Sequence, residues 1–253
     1  FRLAPMLNAA GRMGHARLAV ELLTSDSKIR SQQIAEYLKQ QNQQRRKVER
    51  LIFKQACEII NEQKLNHPDR KSIVLASENW HIGVIGIVAS RIVDKYFKPV
   101  IMINSSNSLS QGSARSIKGF DMLAAIESCA EHLTNFGGHK MAAGVTIETH
   151  KIPAFAEKLE EYADKNINQI DDSEKIEIDY CPRLSDLTFQ TVCQLNSLAP
   201  FGQGNPKPVF ASKGLRIAAP PKKVGAKGDH LQVTVTDSTN TIRCIGFGMG
   251  KYE

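Results

Sequence analysis

One helical pattern of unusual length most constrains the fold of this chain. Apolar residues recur at helical spacing over residues 34–38 and again over 48–60, so the sequence predicts a single helix across residues 31–64. Between these stripes, residues 39–47 include no apolar side chain. A helix that is polar on every face cannot be buried there. We therefore expect it to cross solvent between two lobes; a surface helix on one domain is the alternative.

After this helix, short apolar strands alternate with helical segments. The sequence predicts strands at 73–76, 99–104, 109–116 and 142–148, and helices at 83–96, 119–133 and 152–167. Such alternation is typical of α/β sandwiches and predicts an α/β domain over residues 70–168.

Beyond a linker expected at 171–173, the apolar period changes to two. Residues 176–178, 215–217, 231–236 and 241–247 alternate apolar with polar side chains, around an expected helix at 187–198 and a turn-rich segment at 200–208. This pattern predicts a small all-β unit over residues 176–253, compatible with an incomplete barrel.

Composition excludes several protein classes. With 42% hydrophobic and 23% charged residues, the 253-residue chain is neither disordered nor collagen-like. No apolar run approaches the roughly 20 residues that span a bilayer. Five scattered cysteines without a CxxC pair indicate a reduced, cytoplasmic protein with no membrane association. Because the chain opens on Phe1 without an initiator Met, we expect it to be a fragment.

The net charge of +7 is concentrated at the two ends. Residues 1–55 carry 11 Lys and Arg against 4 Asp and Glu, and residues 200–253 carry 8 against 3. Two basic ends favour a polyanionic partner, although lysines that only solubilise the surface are the alternative.

Two segments have the composition of a phosphate site. Residues 8–12 precede a predicted helix, and Arg12 could bind a phosphate there; a tight helix–loop contact is the alternative. Along the strand at 109–116, Ser113 and Arg115 point to one face because side chains alternate. A hydroxyl beside a guanidinium suits an oxyanion, whereas an edge strand with a surface arginine is the other interpretation.

Glycine and histidine form a third candidate. Gly137, Gly138 and His139 lie between a predicted helix and a predicted strand, where a glycine turn can bind an anion through its N–H groups. His139 could donate to a phosphoryl oxygen or transfer a proton; an incidental turn histidine is the alternative. His81, at a helix start, would contact an anion or cap the helix. No spacing of metal ligands appears, so we expect no metal site within this chain.

Together these segments resemble the bacterial RecJ single-stranded-DNA exonucleases, a family of the DHH phosphoesterase superfamily. The resemblance rests on five segments in order: residues 7–13 (LNAAGRM), 80–91 (WHIGVIGIVASR), 112–116 (GSARS), 136–144 (FGGHKMAAG) and 198–206 (LAPFGQGNP). The third and fourth occur across DHH-associated domains generally. The first and last are more specific to RecJ.

The resemblance implies an α/β architecture in four parts. Residues 1–30 would be the tail of the DHH catalytic domain, 31–66 a connector helix, 70–168 the DHH-associated domain and 176–253 an incomplete OB-fold barrel. It implies stepwise 5′ to 3′ hydrolysis of single-stranded DNA with manganese or magnesium. Those metals would be bound by an upstream DHH domain absent from this chain, so the chain alone is expected to be inactive.

Site residues carry over from the resemblance residue by residue. Ser113, Arg115 and Arg12 would bind the 5′-terminal phosphate, and Ser116 belongs to the same substrate-binding segment. Gly137, Gly138 and His139 would face the metal centre and position the scissile phosphate, with His81 a weaker assignment to that cleft. The barrel would follow the DNA through its lysines and an exposed aromatic side chain; the lysines are Lys222, Lys223, Lys227 and Lys251.

Other functions remain open from the sequence. A non-catalytic module that binds single-stranded nucleic acid fits the same residues, as does a DHH phosphodiesterase acting on short oligonucleotides or cyclic dinucleotides. The basic barrel argues against the phosphodiesterase, and no synthetase-type segment supports a tRNA-editing role. Family resemblance adds a single-strand-binding protein and a helicase as partners beside single-stranded DNA.

Overall fold

A computed structural model describes residues 3–167 and 176–253 of the chain. The chain divides into two compact units, Phe1–Asp172 and Ser173–Glu253, which we call the N-terminal and C-terminal units. The linker expected at 171–173 lies outside the described residues. Within those residues, no helix is both long and apolar enough to cross a membrane.

Three helices open the N-terminal unit: α1 (Leu3–Arg12), α2 (Ala16–Thr24) and α3 (Lys28–Glu62). The segment 8–12 precedes helix α2, as expected, but it also forms the end of helix α1. Ala9 and Ala10 are fully buried there, so their small side chains serve helix packing. The long helix is confirmed, although it begins three residues earlier than expected because the Ser27 hydroxyl caps it by accepting from the Arg30 N–H.

The two ends of α3 pack in different hydrophobic clusters. Ile34 and Leu38 pack with Ala10 of α1, while Ile52, Ala56 and Ile60 join the larger core beneath the sheet. Between them, no residue from 39 to 47 is fully buried. The polar centre therefore separates two apolar contacts within one compact unit, and the expected crossing between two lobes stays a prediction.

A five-stranded mixed sheet follows. Its strands are β1 (Ile73–Ser77), β2 (Val100–Asn104), β3 (Leu109–Arg115), β4 (Leu133–His139) and β5 (Ala142–Glu148). They lie in the order β1-β2-β3-β5-β4; β1 and β2 are parallel and all other pairs are antiparallel. The expected α/β sandwich is thus observed, with β4 as an additional strand at one edge.

Helices cover this sheet unequally. They are α4 (Ile82–Tyr96), α5 (Met122–Glu127) and α6 (Ile152–Ile167), with short 3₁₀ turns at Ala130–His132 and Thr149–Lys151. Helix α4 packs with α3 on one face of β1 and β2, and α5 and α6 pack on the other face. Helix α5 is much shorter than the predicted 119–133, since Asp121 caps it late and a 3₁₀ turn replaces its end.

The C-terminal unit contains a small open sheet. After a 3₁₀ turn at Leu184–Asp186 come α7 (Phe189–Asn196), β6 (Arg216–Val224), β7 (His230–Thr236), β8 (Thr241–Gly246) and a last 3₁₀ turn at Gly250–Tyr252. The strands are antiparallel in the order β6-β7-β8, an open partial barrel. The alternation at 176–178 does not form a strand; Ile176 and Ile178 are exposed.

A half-buried carboxylate fixes the start of the sheet. On α6, the Glu160 carboxylate accepts hydrogen bonds from the backbone N–H of Lys71 (2.7 Å) and Ser72 (2.9 Å) and from the Ser72 hydroxyl (2.5 Å). These bonds join the first residues before β1 to the helix layer.

Replacing this carboxylate should destabilise the N-terminal unit. In Glu160→Gln, one amide N–H₂ would face backbone donors, so we expect a loss of about 2 kcal/mol in the free energy of unfolding. Urea denaturation followed by circular dichroism measures it. Glu161→Gln removes the neighbouring exposed carboxylate and should change stability by less than about 0.5 kcal/mol. Equal effects of the two variants would contradict the role of Glu160.

Candidate nucleic-acid interface

Half of one sheet face in the N-terminal unit is left open. Helix α4 lies against β2 and β3, and none of the described helices lies over the same face of β5 and β4. An open cleft of about 500 Å³ occupies this place. It is bounded by Ile82 at the start of α4 and floored by β3, β5 and β4. We call it the β3–β5–β4 cleft.

Strand register arranges the floor of this cleft in rows. Directly paired residues share a face, so the register defines three rows across β3, β5 and β4. These are an amide and hydroxyl row, a row with two glycines, and a row with two potential cations: Gln111–Thr146–Asn135, Ser113–Gly144–Gly137 and Arg115–Ala142–His139. The floor is therefore polar at its ends and bare in its middle.

Ser113 and Arg115 point to one face, as their spacing predicts. The Arg115 guanidinium donates to the Ser113 hydroxyl at 3.0 Å and to the Ala114 carbonyl at 2.7 Å. Both residues are half-buried, and β3 is an inner strand of the sheet. The interpretation as an edge strand with a surface arginine is therefore wrong.

A glycine of α4 makes room for this pair. A Cβ atom on Gly86 would lie 2.8 Å from both the Arg115 guanidinium and the Ser113 hydroxyl. Any side chain there would displace the two groups, because real Cβ contacts are essentially never that short. Gly86 was not predicted as a site residue. Gly83 and Gly86 lie three apart on one face of a predicted helix, which is a sequence signal of close approach.

Arg12 lies near Arg115 and adds a second positive charge. Burial lowers the pKa of Arg115, and the charge of Arg12 lowers it further. Among the described residues, no carboxylate forms an ion pair with either arginine. Two cations that converge without a counter-charge favour an anion between them, and Arg is the side chain best suited to binding phosphate.

The position of Arg12 depends on a tight helix–helix contact. Its guanidinium donates to the Gly83 carbonyl at 3.4 Å, and a Cβ on Gly83 would collide with the Arg12 carbonyl oxygen. Only glycine lets the end of α1 approach the start of α4 this closely. The tight contact expected as one interpretation of residues 8–12 is present. Arg12 is also exposed beside Arg115, which is compatible with the other interpretation, a phosphate site.

Two predicted site residues, Ser116 and His81, form hydrogen bonds within the chain. The Ser116 hydroxyl is buried and donates to the Phe120 carbonyl at 2.8 Å, so Ser116 does not reach the surface that carries Ser113. The His81 Nδ1 accepts from the Gly83 N–H at 3.1 Å and caps α4. This hydrogen bond confirms His81 as a helix cap, and its assignment to the cleft stays a prediction because Nε2 takes no part in the cap.

The glycine segment is a strand and not the expected turn. Gly137 and Gly138 pair with Gly144 and Ala143 inside the β4–β5 ladder, so the anion-binding turn predicted there is wrong. A Cβ on Gly138 would collide with Ala143, whereas one on Gly137 would meet nothing within 4 Å. Gly144 is also open, with its nearest neighbour at 3.9 Å. Packing within the chain therefore does not require glycine at Gly137 or Gly144.

His139 ends β4 in the row of Arg115. It is exposed, and its Nδ1 accepts from the Met141 N–H at 3.3 Å. This hydrogen bond leaves Nε2 directed away from the backbone and available to a ligand, which is compatible with a role in donating to a phosphoryl oxygen.

Three cations of the C-terminal unit share one sheet face. By register, Arg216, Lys222 and Arg243 share a face with polar residues of β7. The opposite face carries the apolar residues of β7 and also Lys223. Neither arginine was predicted from the sequence, because their common face depends on pairing across strands and on the bulge between Ala219 and Lys222.

The other predicted lysines of this unit differ from Lys222. Lys223 lies on the opposite face and pairs with Glu253 at 3.0 Å. Lys227 is exposed in the turn after β6, and Lys251 lies 4.8 Å from the ring centre of Tyr252. The most exposed aromatic side chains of this unit are Phe189, Tyr180, Phe247 and Tyr252.

The described residues do not fit a metal centre. Within residues 3–167 and 176–253, no group of three or more His, Cys, Asp or Glu side chains is placed to hold a metal ion. We therefore derive no step through a metal from this chain.

Family models match both units. The DHHA1 domain matches residues 69–165, which include the β3–β5–β4 cleft, and the RecJ OB domain matches residues 178–253. The first supports the α/β fold of the N-terminal unit and the second the partial OB-fold of the C-terminal unit.

Relatives match along most of the chain. The single-stranded-DNA-specific exonuclease RecJ of Bacillus subtilis is 34% identical over 100% of this chain and 32% of its own length. RecJ of Thermus thermophilus is 32% identical over 91% of the chain and 32% of its own length. The chain thus spans about a third of the length of these curated relatives.

Solved structures agree with the sequence relatives. RecJ from Thermus thermophilus in complex with Mn²⁺ superposes with a TM-score of 0.80 at 30% identity, over 98% of this chain and 35% of that one. The same protein with Mg²⁺ gives a TM-score of 0.78 at 31% identity, over 98% and 37%. By its domains, its relatives and its fold, this chain belongs to the RecJ family.

Proposed function

We propose that this chain is the substrate-binding part of a 5′ to 3′ single-stranded-DNA exonuclease. The observation that carries the proposal is the pair of converging arginines, Arg115 and Arg12, which have no carboxylate partner among the described residues and adjoin the β3–β5–β4 cleft. Family membership supplies the substrate class, since the relatives are named single-stranded-DNA-specific exonucleases.

Each group in the cleft then has a defined task. Ser113 and Arg115 bind the 5′-terminal phosphate, and Arg12 adds charge from α1. Gly137 and Gly144 leave the floor bare, so a sugar-phosphate backbone can approach the sheet closely. His139 positions the scissile phosphate by donating from Nε2, and Gly138 holds β4 against β5.

The domain roles extend this proposal. Residues 1–30 would end the DHH catalytic domain, 31–66 would connect it, and 70–168 would position the substrate. Manganese or magnesium, bound by a DHH domain upstream, would activate the water that attacks the phosphodiester. The RecJ structures with Mn²⁺ and Mg²⁺ support the use of a divalent metal. This chain alone would then bind DNA without cleaving it.

The C-terminal unit would bind the strand electrostatically. Residues 178–253 match the RecJ OB domain, and Arg216, Lys222 and Arg243 present three cations on one face. A single-strand-binding protein and a helicase remain predicted partners. The cytoplasm remains the predicted location.

Arg115→Ala should remove the preference for a 5′-phosphate. Loss of charge-assisted hydrogen bonds should weaken binding of a 5′-phosphorylated oligothymidylate by about 10- to 100-fold. The 5′-hydroxyl form should lose less than about threefold, because it lacks the group that Arg115 binds. Fluorescence anisotropy with both oligonucleotides measures this ratio.

Arg70→Ala is the matched control, because Arg70 is exposed and far from the cleft in the fold. It should leave both affinities unchanged. Equal losses on the two oligonucleotides in Arg115→Ala would contradict a 5′-phosphate site.

Gly144→Ala should separate binding from stability. Its Cβ has open space, so stability should stay equal or rise by up to about 1 kcal/mol, since alanine orders at a lower entropic cost. Binding should weaken several-fold because the methyl group occupies the floor. Thermal unfolding and fluorescence anisotropy measure the two effects.

Gly112→Ala is the control for a glycine without free space. Its Cβ would lie 2.7 Å from Val145 Cγ2, so the variant should unfold at a lower temperature. Unchanged binding in Gly144→Ala would contradict the close approach of the DNA backbone to the cleft floor at Gly144.

Adjacent lysines of β6 provide a test of the basic sheet face. Lys222→Gln should flatten the slope of log affinity against log salt by about 0.7, the value for one phosphate contact on a single strand. Lys223→Gln should leave the slope unchanged, because Lys223 faces the other side and pairs with Glu253. Equal slopes for the two variants would place the strand elsewhere.

A further inference from the structure

A second basic surface lies outside the cleft, on α3 and α4. We call it the α3–α4 patch and define it by the exposed or half-exposed cations Arg46, Lys47, Arg50, Lys54, Arg91 and Lys95. The four from α3 lie on the side opposite its buried residues Ile52 and Ala56. None of the six contributes to the cleft.

Aromatic rings hold the two α4 cations in place. The Arg91 guanidinium lies 4.0 Å from the ring centre of Phe53, and Lys95 Nζ lies 4.9 Å from that of Tyr96. Lys95 Nζ also contacts Cys57 Sγ at 3.3 Å. Cations held by rings lose less side-chain freedom when they bind an anion, so the patch is partly organised before any ligand arrives.

Carboxylates near the patch do not balance its charge. Glu49 is only 15% exposed and already pairs with Arg45 at 2.8 Å and Arg91 at 3.1 Å. Glu58 lies 3.7 Å from Lys54 at one end of the patch, and Asp94 is exposed on α4.

Three cations at the centre of the patch have no carboxylate partner within the described part of the chain. Arg46, Lys47 and Arg50 form no ion pair with any described residue.

The spacing of these cations is unfavourable in the free chain. Arg46 and Arg50 are four apart, Lys47 and Arg50 three apart, and Arg50 and Lys54 four apart, so like charges are neighbours on the helix surface and repel. A helix that is basic only for solubility would alternate the two signs of charge at these spacings. A polyanion would relieve the repulsion.

We propose that the α3–α4 patch binds the phosphodiester backbone of the DNA strand beyond the nucleotides held in the cleft. The inference rests on the proposed function for its ligand. Helix α4 connects the two sites: Gly86 abuts Arg115, and Lys95 lies nine residues further, about 14 Å along the axis. A strand held at its 5′ end at Arg115 first crosses β5 and β4, away from α4. A trinucleotide therefore stays in the cleft, whereas a strand of about 20 nucleotides is long enough to fold back along α4 to the patch.

The test uses oligonucleotide length. For Arg46→Gln/Arg50→Gln, a 5′-phosphorylated oligothymidylate of about 20 nucleotides should bind several-fold more weakly at low salt, with a log–log salt slope flatter by about 1.4 for two contacts. A 5′-phosphorylated trinucleotide should bind as it does to the unsubstituted chain. Lys118→Gln/Lys165→Gln removes two exposed charges elsewhere and should change neither affinity.

Arg50→Glu gives a second test, in which stability and DNA binding should change in opposite directions. It converts three repulsive neighbours into attractive ones, so the chain should unfold at a higher temperature while it binds the long oligonucleotide more weakly. A merely solubilising helix would show the stability gain with unchanged binding, and that result would overturn the proposal.

Other outcomes are equally decisive. If both oligonucleotides lose affinity in Arg46→Gln/Arg50→Gln, the patch is not separate from the cleft and the proposal fails. If oligoglutamate of equal length displaces the long oligonucleotide at equal charge concentration, the patch fits an acidic protein and the proposal also fails. Failure of the 5′-phosphate site would appear differently, as equal binding of 5′-phosphate and 5′-hydroxyl ends by the unsubstituted chain.

Discussion

A half-buried guanidinium without a carboxylate partner in the described structure is the interaction on which the site depends. Arg115 is removed from much of the solvent, and only the Ser113 hydroxyl and the Ala114 carbonyl of the described residues accept its hydrogen bonds. Burying a charge with neutral partners alone is unfavourable, and a nearby Arg12 adds to the cost. A bound phosphate would remove both costs, which is the physical basis of the phosphate site that we propose at Arg115.

Helix α3 is the second constraint, because it sets where Arg12 lies. The first half of α3 packs in one hydrophobic cluster with α1, and its second half packs in another with α4 and the sheet. The two clusters together hold α3 in one position. The contact of Gly83 with the Arg12 backbone then places the end of α1 beside the start of α4. A change in the buried contacts of α3 would therefore move Arg12 relative to Arg115, even though α3 itself does not line the cleft.

Much of the fold follows from local sequence, and the exceptions have physical reasons. Helix α6 has the predicted bounds, 152–167, because its apolar spacing is uninterrupted. Strand β4 was predicted as a turn because Gly137 and Gly138 favour turns locally, yet the strand pairs along its length with β5 and that pairing prevails. The shared face of Ser113 and Arg115 was predictable from the alternation of side chains along a strand. The bare floor at Gly144 was not, since it depends on which strands become neighbours.

The most direct measurement of the central claim is a crystal structure of this chain with a 5′-phosphorylated trinucleotide. The account predicts the terminal phosphate within hydrogen-bond distance of the Ser113 hydroxyl and the Arg115 guanidinium, with its sugar over Gly144. A phosphate bound elsewhere, with Arg115 still directed at the Ala114 carbonyl and the cleft free of nucleotide, would contradict it.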